Sequence, residues 1–228
     1  MTVEWSKTGR KHRQEHKENE DVILHGSTRR FEMIALADGV SSCEKAREGA
    51  QAACEEIRNL FLCKGDFFLN CEKKKRAELV VEHIVYKLKQ KAQESKVSVE
   101  EYASTLAAVL LEKKTKRLLY FTIGDSMLLA VRPESSRVLA GFAENSFGCP
   151  VTTTKGIAGL VQSEVIDASA LQSVLLCSDG AWQLMADEGK ICPICSRMLQ
   201  MLEFGQLGNY LEKQNGMDDC SFITMEIN

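Results

Sequence analysis

Ile34-Ala35-Leu36-Ala37-Asp38-Gly39 is an apolar run that stops at a carboxylate and a glycine. A continuous apolar run of this length suits a strand covered on both faces, and Asp is rarely buried without a partner. The same phrase recurs in Leu119-Tyr120-Phe121-Thr122-Ile123-Gly124-Asp125 and in Val174-Leu175-Leu176-Cys177-Ser178-Asp179-Gly180. Its mirror image places acids before strands: Glu20-Asp21 ahead of Val22-Ile23-Leu24, and Asp218-Asp219 ahead of Phe222-Ile223-Thr224-Met225. Asp-Gly is also a favoured turn dipeptide, so a turn alone explains any one pair. The repetition argues for more. Strand ends that each carry an acid can converge and hold hard divalent cations through oxygen ligands. Two adjacent cations held this way would lower the pKa of a water between them and stabilise charge on a phosphoryl oxygen.

The chain has 228 residues, 44% of them hydrophobic, and a net charge of -3. These values fit one domain spanning 1–228 and give no global basic field for nucleic acid. No apolar run approaches the roughly 20 residues that span a bilayer. Met1-Thr2-Val3-Glu4-Trp5-Ser6-Lys7 is too polar for a signal-peptide core. The expectation is a cytoplasmic protein with neither a membrane nor a nucleic-acid partner. Nine cysteines, an odd number, argue for reduced thiols packed as small hydrophobes. Cys192-Pro193-Ile194-Cys195 is the only CxxC, and a structural zinc site would want a second pair or nearby histidines.

Residues Met1 to Asn19 are polar, and within them the basic stretch from Gly9 to Lys17 reads as a loop, suited to a solvated face or to facing a phosphate. Ser41 and Glu44 have capping-box spacing and predict a helix start, followed by the stripe Ala46, Ala50, Ala53, Ile57, Leu60 and Phe61. A second helix is expected from about Glu72 to Gln93, burying Ala77, Val81, Ile84, Leu88 and Ala92, with Lys73 to Arg76 as its wet first turn. Strands follow at Ser104 to Leu111, Arg117 to Ile123, Met127 to Val131 and Val138 to Ala140. Residues 141–169 suggest loops and short edge strands. Val174 to Cys177 and Ser221 to Ile227 read as strands, with short helices at Ala181 to Ala186, Cys195 to Leu202 and Gln206 to Gln214 between them.

Asn19-Glu20-Asp21, Ala37-Asp38-Gly39-Val40, Ser104-Thr105-Leu106, Gly124-Asp125-Ser126, Cys177-Ser178-Asp179-Gly180 and Asp218-Asp219 occur in the order and approximate spacing of the metal-dependent type-2C protein phosphatases. The chain resembles that family from about Thr8 to Ile227. The resemblance implies an α+β fold, a four-layer α-β-β-α sandwich of two mainly antiparallel sheets. It implies two Mn2+ or Mg2+ ions, with Asp38 bridging them, the Gly39 carbonyl on one, and Glu20, Asp179 and Asp218 completing the set. Asp125 would help Asp179 hold a third, weaker ion, and Asp21 and Asp219 would orient waters and neighbours. The implied reaction is direct hydrolysis of phosphoserine or phosphothreonine by an activated water, without a phosphoenzyme. That agrees with the absence of a C-x5-R phosphate loop. The implied partners are a phosphoprotein substrate and a cognate serine/threonine kinase.

The chain departs from the family pattern in three places. His16 stands four residues before Glu20, where the family commonly has a phosphate-clamping arginine. Arg10 or Arg13 could supply a guanidinium fork, whereas His12 or Lys17 offers a single-point contact. Asp38, Asp179, His12 and His16 are therefore the catalytic candidates, with His25 and His83 read as structural or surface residues. Val40 replaces the histidine that eukaryotic members often carry after Asp-Gly. The segment between Asp125 and Asp179 is short and shows no obvious helical flap, and the spacing around Gly9, His12 and Glu20, with Asp38-Gly39-Val40-Ser41-Ser42, resembles a divergent, compact bacterial branch. Two further readings compete: a non-catalytic module that binds phosphoprotein or metal, and a phosphohydrolase of small esters.

Overall fold

The computed structural model describes residues 1–141 and 151–227. In chain order the elements are β1 (Thr2–Lys7), α1 (Arg10–Glu15), β2 (Val22–Ser27), β3 (Phe31–Ala37), α2 (Ala46–Asn70), α3 (Lys73–Ser95), β4 (Leu106–Glu112), β5 (Arg117–Ile123), β6 (Met127–Arg132) and β7 (Ser135–Ala140). They continue with β8 (Gln162–Asp167), β9 (Ser173–Cys177), α4 (Asp179–Met185), a small hairpin of β10 (Ala186–Asp187) and β11 (Lys190–Ile191), α5 (Pro193–Gln200), α6 (Phe204–Glu212) and β12 (Cys220–Glu226). One sheet has the order β1-β12-β9-β6-β7 and the other β2-β3-β4-β5-β8, with every pairing antiparallel.

The apolar runs are continuous because the central strands are covered twice. Along β3, Met33, Ala35 and Ala37 face α2 and α3, while Ile34 and Leu36 face the opposite sheet. Along β9, Val174 and Leu176 enter the layer between the sheets, and Leu175 and Cys177 meet the helices on the far side. The period-2 alternation of a strand thus serves two cores at once. The result is the α-β-β-α sandwich that the family resemblance implies. None of the described helices is long and apolar enough to cross a membrane.

Several local expectations need correction. The stretch from Gly9 to Lys17 is not a loop, since α1 occupies Arg10–Glu15, and the polar residues before it form β1, paired with β12 from Thr2↔Met225 to Lys7↔Cys220. The strand escapes the sequence reading because it is an edge strand with half-exposed polar positions. No capping box forms at Ser41. The helix starts at Ala46 without a side-chain cap, because Glu101 accepts the Glu44 N–H at 2.7 Å and holds the Ser41–Lys45 stretch as turns. The same helix runs on to Asn70, kinked at Lys64. Arg76 is not wet: its guanidinium donates to the Phe68 and Cys71 carbonyls at 2.8 and 3.0 Å, satisfying the end of α2. Of the 141–169 segment, residues 142–150 lie outside the described part; the remainder gives a 3-10 turn at Ile157–Leu160 and the edge strand β8.

Antiparallel pairing gathers the acids at one end of the sandwich. Val22 faces Ala37, so the start of β2 lies beside the end of β3, and Leu106 faces Ile123 at the same level. In the other sheet, Cys177 faces both Phe222 and Met127. Every acid-bearing strand end singled out in the sequence therefore lies on one rim.

Candidate metal centre

Asp38 leaves β3 under close control. Its N–H donates to Thr105 Oγ1 at 3.0 Å, and its carbonyl accepts the Thr105 N–H at 2.8 Å. Thr105 Oγ1 also meets Ser126 Oγ at 2.8 Å, next to Asp125. The Ser104-Thr105 and Gly124-Asp125-Ser126 motifs are thus the brackets that hold Asp38 on the rim. Gly39 donates to the Glu20 carbonyl at 3.3 Å, drawing the start of β2 to the same point.

The opposite sheet presents Asp179 and Asp218. Ser178 and Ser221 exchange backbone and hydroxyl hydrogen bonds at 3.0 Å, which locks the end of β9 to the start of β12. Gly180 makes this approach possible, since a Cβ there would stand 2.2 Å from the Asp219 carbonyl oxygen. Gly9 does the same from α1's side, where a Cβ would fall 2.3 Å from the Asp218 carbonyl carbon. These contacts enclose a cavity of about 180 Å³ lined by Lys11, His12, Asp38, Ser41, Asp179, Met217, Asp218 and Asp219. Larger grooves elsewhere, on α3, lack this chemistry.

The acids press against one another. Burial, then the charges of Asp21 and Asp179, lifts the Asp38 carboxyl far above the usual carboxylate range. Asp179 is raised by burial and by Asp125, although a hydrogen bond from Asp38 opposes the shift. Burial pushes Asp21 up to about 7, with the Ser221 and Ser178 hydroxyls partly offsetting it. Glu20 is also raised by burial, with His12 and Lys17 pulling the other way. Glu20 Oε2, both Asp21 carboxylate oxygens and His12 Nε2 are buried without a well-formed hydrogen bond. Buried acids in this state call for positive charge. Among the described residues no three His, Cys, Asp or Glu side chains already stand in a ligand arrangement. The donor set of carboxylates and a carbonyl nonetheless fits hard dications that can draw it together.

The sequence-predicted residues divide clearly. Asp38, Asp179, Asp218 and His12 line the cavity together with Asp219. Glu20 touches it through His12, Oε2 to Nε2 at 3.5 Å, and Asp125 acts on Asp38 and Asp179 by charge. His12 Nδ1 meets Asp219 Oδ2 at 2.8 Å. His16 is not brought to the cavity: it is the exposed left-handed cap of α1, at φ 56°. Counted from Gly9 through the helical turn, His12 is the residue that arrives. Arg10 reaches Met217 Sδ, Arg13 the Thr8 carbonyl and Lys17 the Glu15 carboxylate. The cation that lines the cavity is Lys11, which the sequence reading passed over. Its signal is its place one residue before His12 on α1, a helix too short and too polar to show an apolar face in sequence.

A profile of the protein phosphatase 2C family matches residues 8–214. A search of curated proteins found no match. Among solved structures, the chain is similar to the serine/threonine phosphatase Stp1 from Staphylococcus aureus, with 16% identity, a TM-score of 0.71, and coverage of 100% of this chain and 94% of that one. It is also similar to the catalytic domain of the serine/threonine protein phosphatase PstP in complex with two manganese ions, with 16% identity, a TM-score of 0.65, and coverage of 99% and 97%. RsbX in complex with magnesium gives 14% identity, a TM-score of 0.62, and coverage of 98% and 92%. These likenesses agree on the fold, and the profile match spans most of the chain. The chain belongs to the protein phosphatase 2C family, whose members are metal-dependent serine/threonine phosphatases.

Proposed function

We propose that this chain hydrolyses phosphoserine and phosphothreonine in proteins at the acidic rim, with two Mn2+ or Mg2+ ions held between the sheets. The observation that carries this reading is that Asp38 from one sheet and Asp179 from the other line one cavity beside Asp218, both pressed upward in pKa by burial and neighbouring acids. Asp38 is the acid suited to bridge, since it feels Asp21, Asp179 and Asp125 together. The Gly39 carbonyl, Glu20, Asp179 and Asp218 would complete the set, and Asp125 would serve a third, weaker ion. The ions in the PstP and RsbX structures support this ion class. When bound, such ions lower the pKa of a water between them and neutralise charge on phosphoryl oxygens.

The chain's own residues supply orientation. Lys11 offers a single ammonium to a phosphate oxygen at the cavity mouth, where other family members use an arginine fork. His12 and Asp219 hold the Glu20 backbone against β12. Cys177 lies two residues from Asp179, but its thiol is fully buried and raised far above its ordinary value, so it is not a nucleophile. The substrate would be a phosphoprotein made by a serine/threonine kinase. The test is hydrolysis of a phosphothreonine peptide and of p-nitrophenyl phosphate, with and without Mn2+. Mn2+-dependent turnover of the peptide supports the reading, whereas turnover of small esters alone points to a phosphohydrolase of metabolites.

A further inference from the structure

Cys192-Pro193-Ile194-Cys195 lies outside the acidic rim, on the helical layer beyond the other sheet, and the phosphatase reaction makes no use of it. Cys192 is the N-cap of α5, with extended backbone at φ -63° and ψ 148°, and Pro193 opens the helix. Cys195 is one turn inside and 0% exposed, while Cys192 is half-buried and packs on the same apolar cluster. Both thiols are free, and both side chains belong to the one cluster beneath α5. Neighbours one helical turn apart bring their Cα atoms within the roughly 4.4–6.8 Å that a disulfide needs. The two sulfurs can therefore join without unwinding α5.

The two thiols have unequal environments. Cys192 caps the start of α5, whose first turn contains no acidic residue. Cys195 is buried among Met185, Leu199 and Phe204, and burial drives its thiol far above the ordinary value. A half-buried cysteine at a helix start, followed one turn on by a fully buried partner, suits the division of labour of a dithiol that exchanges with disulfides. A zinc site is less suited to the place, because no third His, Cys, Asp or Glu joins the pair among the described residues.

We propose that Cys192 and Cys195 form a redox-active dithiol that exchanges with small-molecule disulfides. The Cys192 thiolate attacks one sulfur of R–S–S–R, forming a mixed disulfide and releasing R–S⁻, which takes up the proton that Cys192 gave up. Cys195 then loses its proton and attacks the Cys192 sulfur. The mixed bond breaks, and the second thiol leaves as RSH with that proton. Two protein thiols become one disulfide, and the small disulfide is reduced to two thiols.

The test uses the full folded chain incubated with oxidised glutathione, followed by intact mass and peptide mapping. The wild type is expected to lose two hydrogens in the peptide that holds Cys192 and Cys195 and to keep no glutathione there. Cys195→Ser is expected to trap one glutathione on Cys192, and Cys192→Ser to leave Cys195 unmodified. Cys195→Ala repeats the trapping experiment, and circular dichroism of both variants must match the wild type. Glutathione on the exposed Cys63, with none passing through Cys192, would overturn the proposal. So would zinc retained by the wild type and lost in either cysteine variant.

Discussion

His12 Nδ1 lies 2.8 Å from Asp219 Oδ2, joining α1 to the start of β12 across 207 positions of sequence. The same carboxylate oxygen accepts the Glu20 N–H at 2.6 Å, and its partner oxygen accepts the Gly9 N–H at 2.7 Å. Asp219 therefore fixes three segments at once: the turn before α1, the helix itself and the start of β2. His12→Ala removes one arm of this clamp while sparing the acids that would hold cations. Supporting contacts of this kind change ion affinity by about 10–100-fold when lost. Calorimetric titration with Mn2+ is expected to show a weakening of that order. Unchanged affinity would mean that His12 only fills space.

Gly180 sets how closely the two acid-bearing turns approach. Its missing Cβ lets the Asp219 carbonyl oxygen stand where a methyl would be 2.2 Å away, and that oxygen belongs to backbone with no freedom to swing aside. Gly180→Ala should therefore separate Asp179 from Asp218. The expected loss is about 1–3 kcal/mol of stability from overpacking, together with a much larger loss of turnover. Urea melts beside peptide hydrolysis rates separate the two effects.

Most of the fold could be read in the sequence because the central strands are covered on both faces, which gives long apolar runs such as those ending at Asp38 and Asp179. The edges were harder. β1 exposes alternate polar side chains, and α1 is six residues with no apolar face, so neither has the periodicity that identifies β9 or α3. The same gap misplaced the cation over the site. Counting back four residues from Glu20 selects His16, but the helix of Arg10–Glu15 and its left-handed cap consume chain, and so Lys11 and His12 reach the cavity instead. Arg76 was missed for another reason: no local pattern announces that a helix start will cap the carbonyls of the preceding helix.

Lys11 is expected to act on substrate and not on cations. Lys11→Ala should raise KM for a phosphothreonine peptide by about tenfold, in keeping with loss of one charge-assisted contact, while Mn2+ affinity stays near the wild-type value. Lys11→Arg should recover most of the loss. A kcat decrease with unchanged KM would count against a binding role.

The crowded acids make the ion-free protein sensitive to pH. Asp38, Asp179, Glu20 and Asp21 all bind protons more readily folded than unfolded, Asp21 with a pKa near 7 against an ordinary value of 3.8. Groups raised in this way stabilise the fold below their unfolded pKa and lose that contribution as pH rises through the folded value. The melting temperature of chelator-treated protein should therefore fall from about pH 5 to about pH 8. Added Mn2+ should restore it most at the upper end, where the acids are ionised. A rise in stability over this range without ions would contradict the burial of these carboxylates.

The central claim is that acids from two sheets form one cation site, and titration of Mn2+ into the chelator-treated protein tests it most directly. The wild type should bind two ions tightly enough to count, with a third visible only at higher concentration. Asp38→Asn, which keeps the shape and removes the bridging charge, should lose the tight pair together while its circular dichroism stays native. Mn2+ binding of unchanged stoichiometry and affinity in Asp38→Asn, or none in the wild type, would contradict the account.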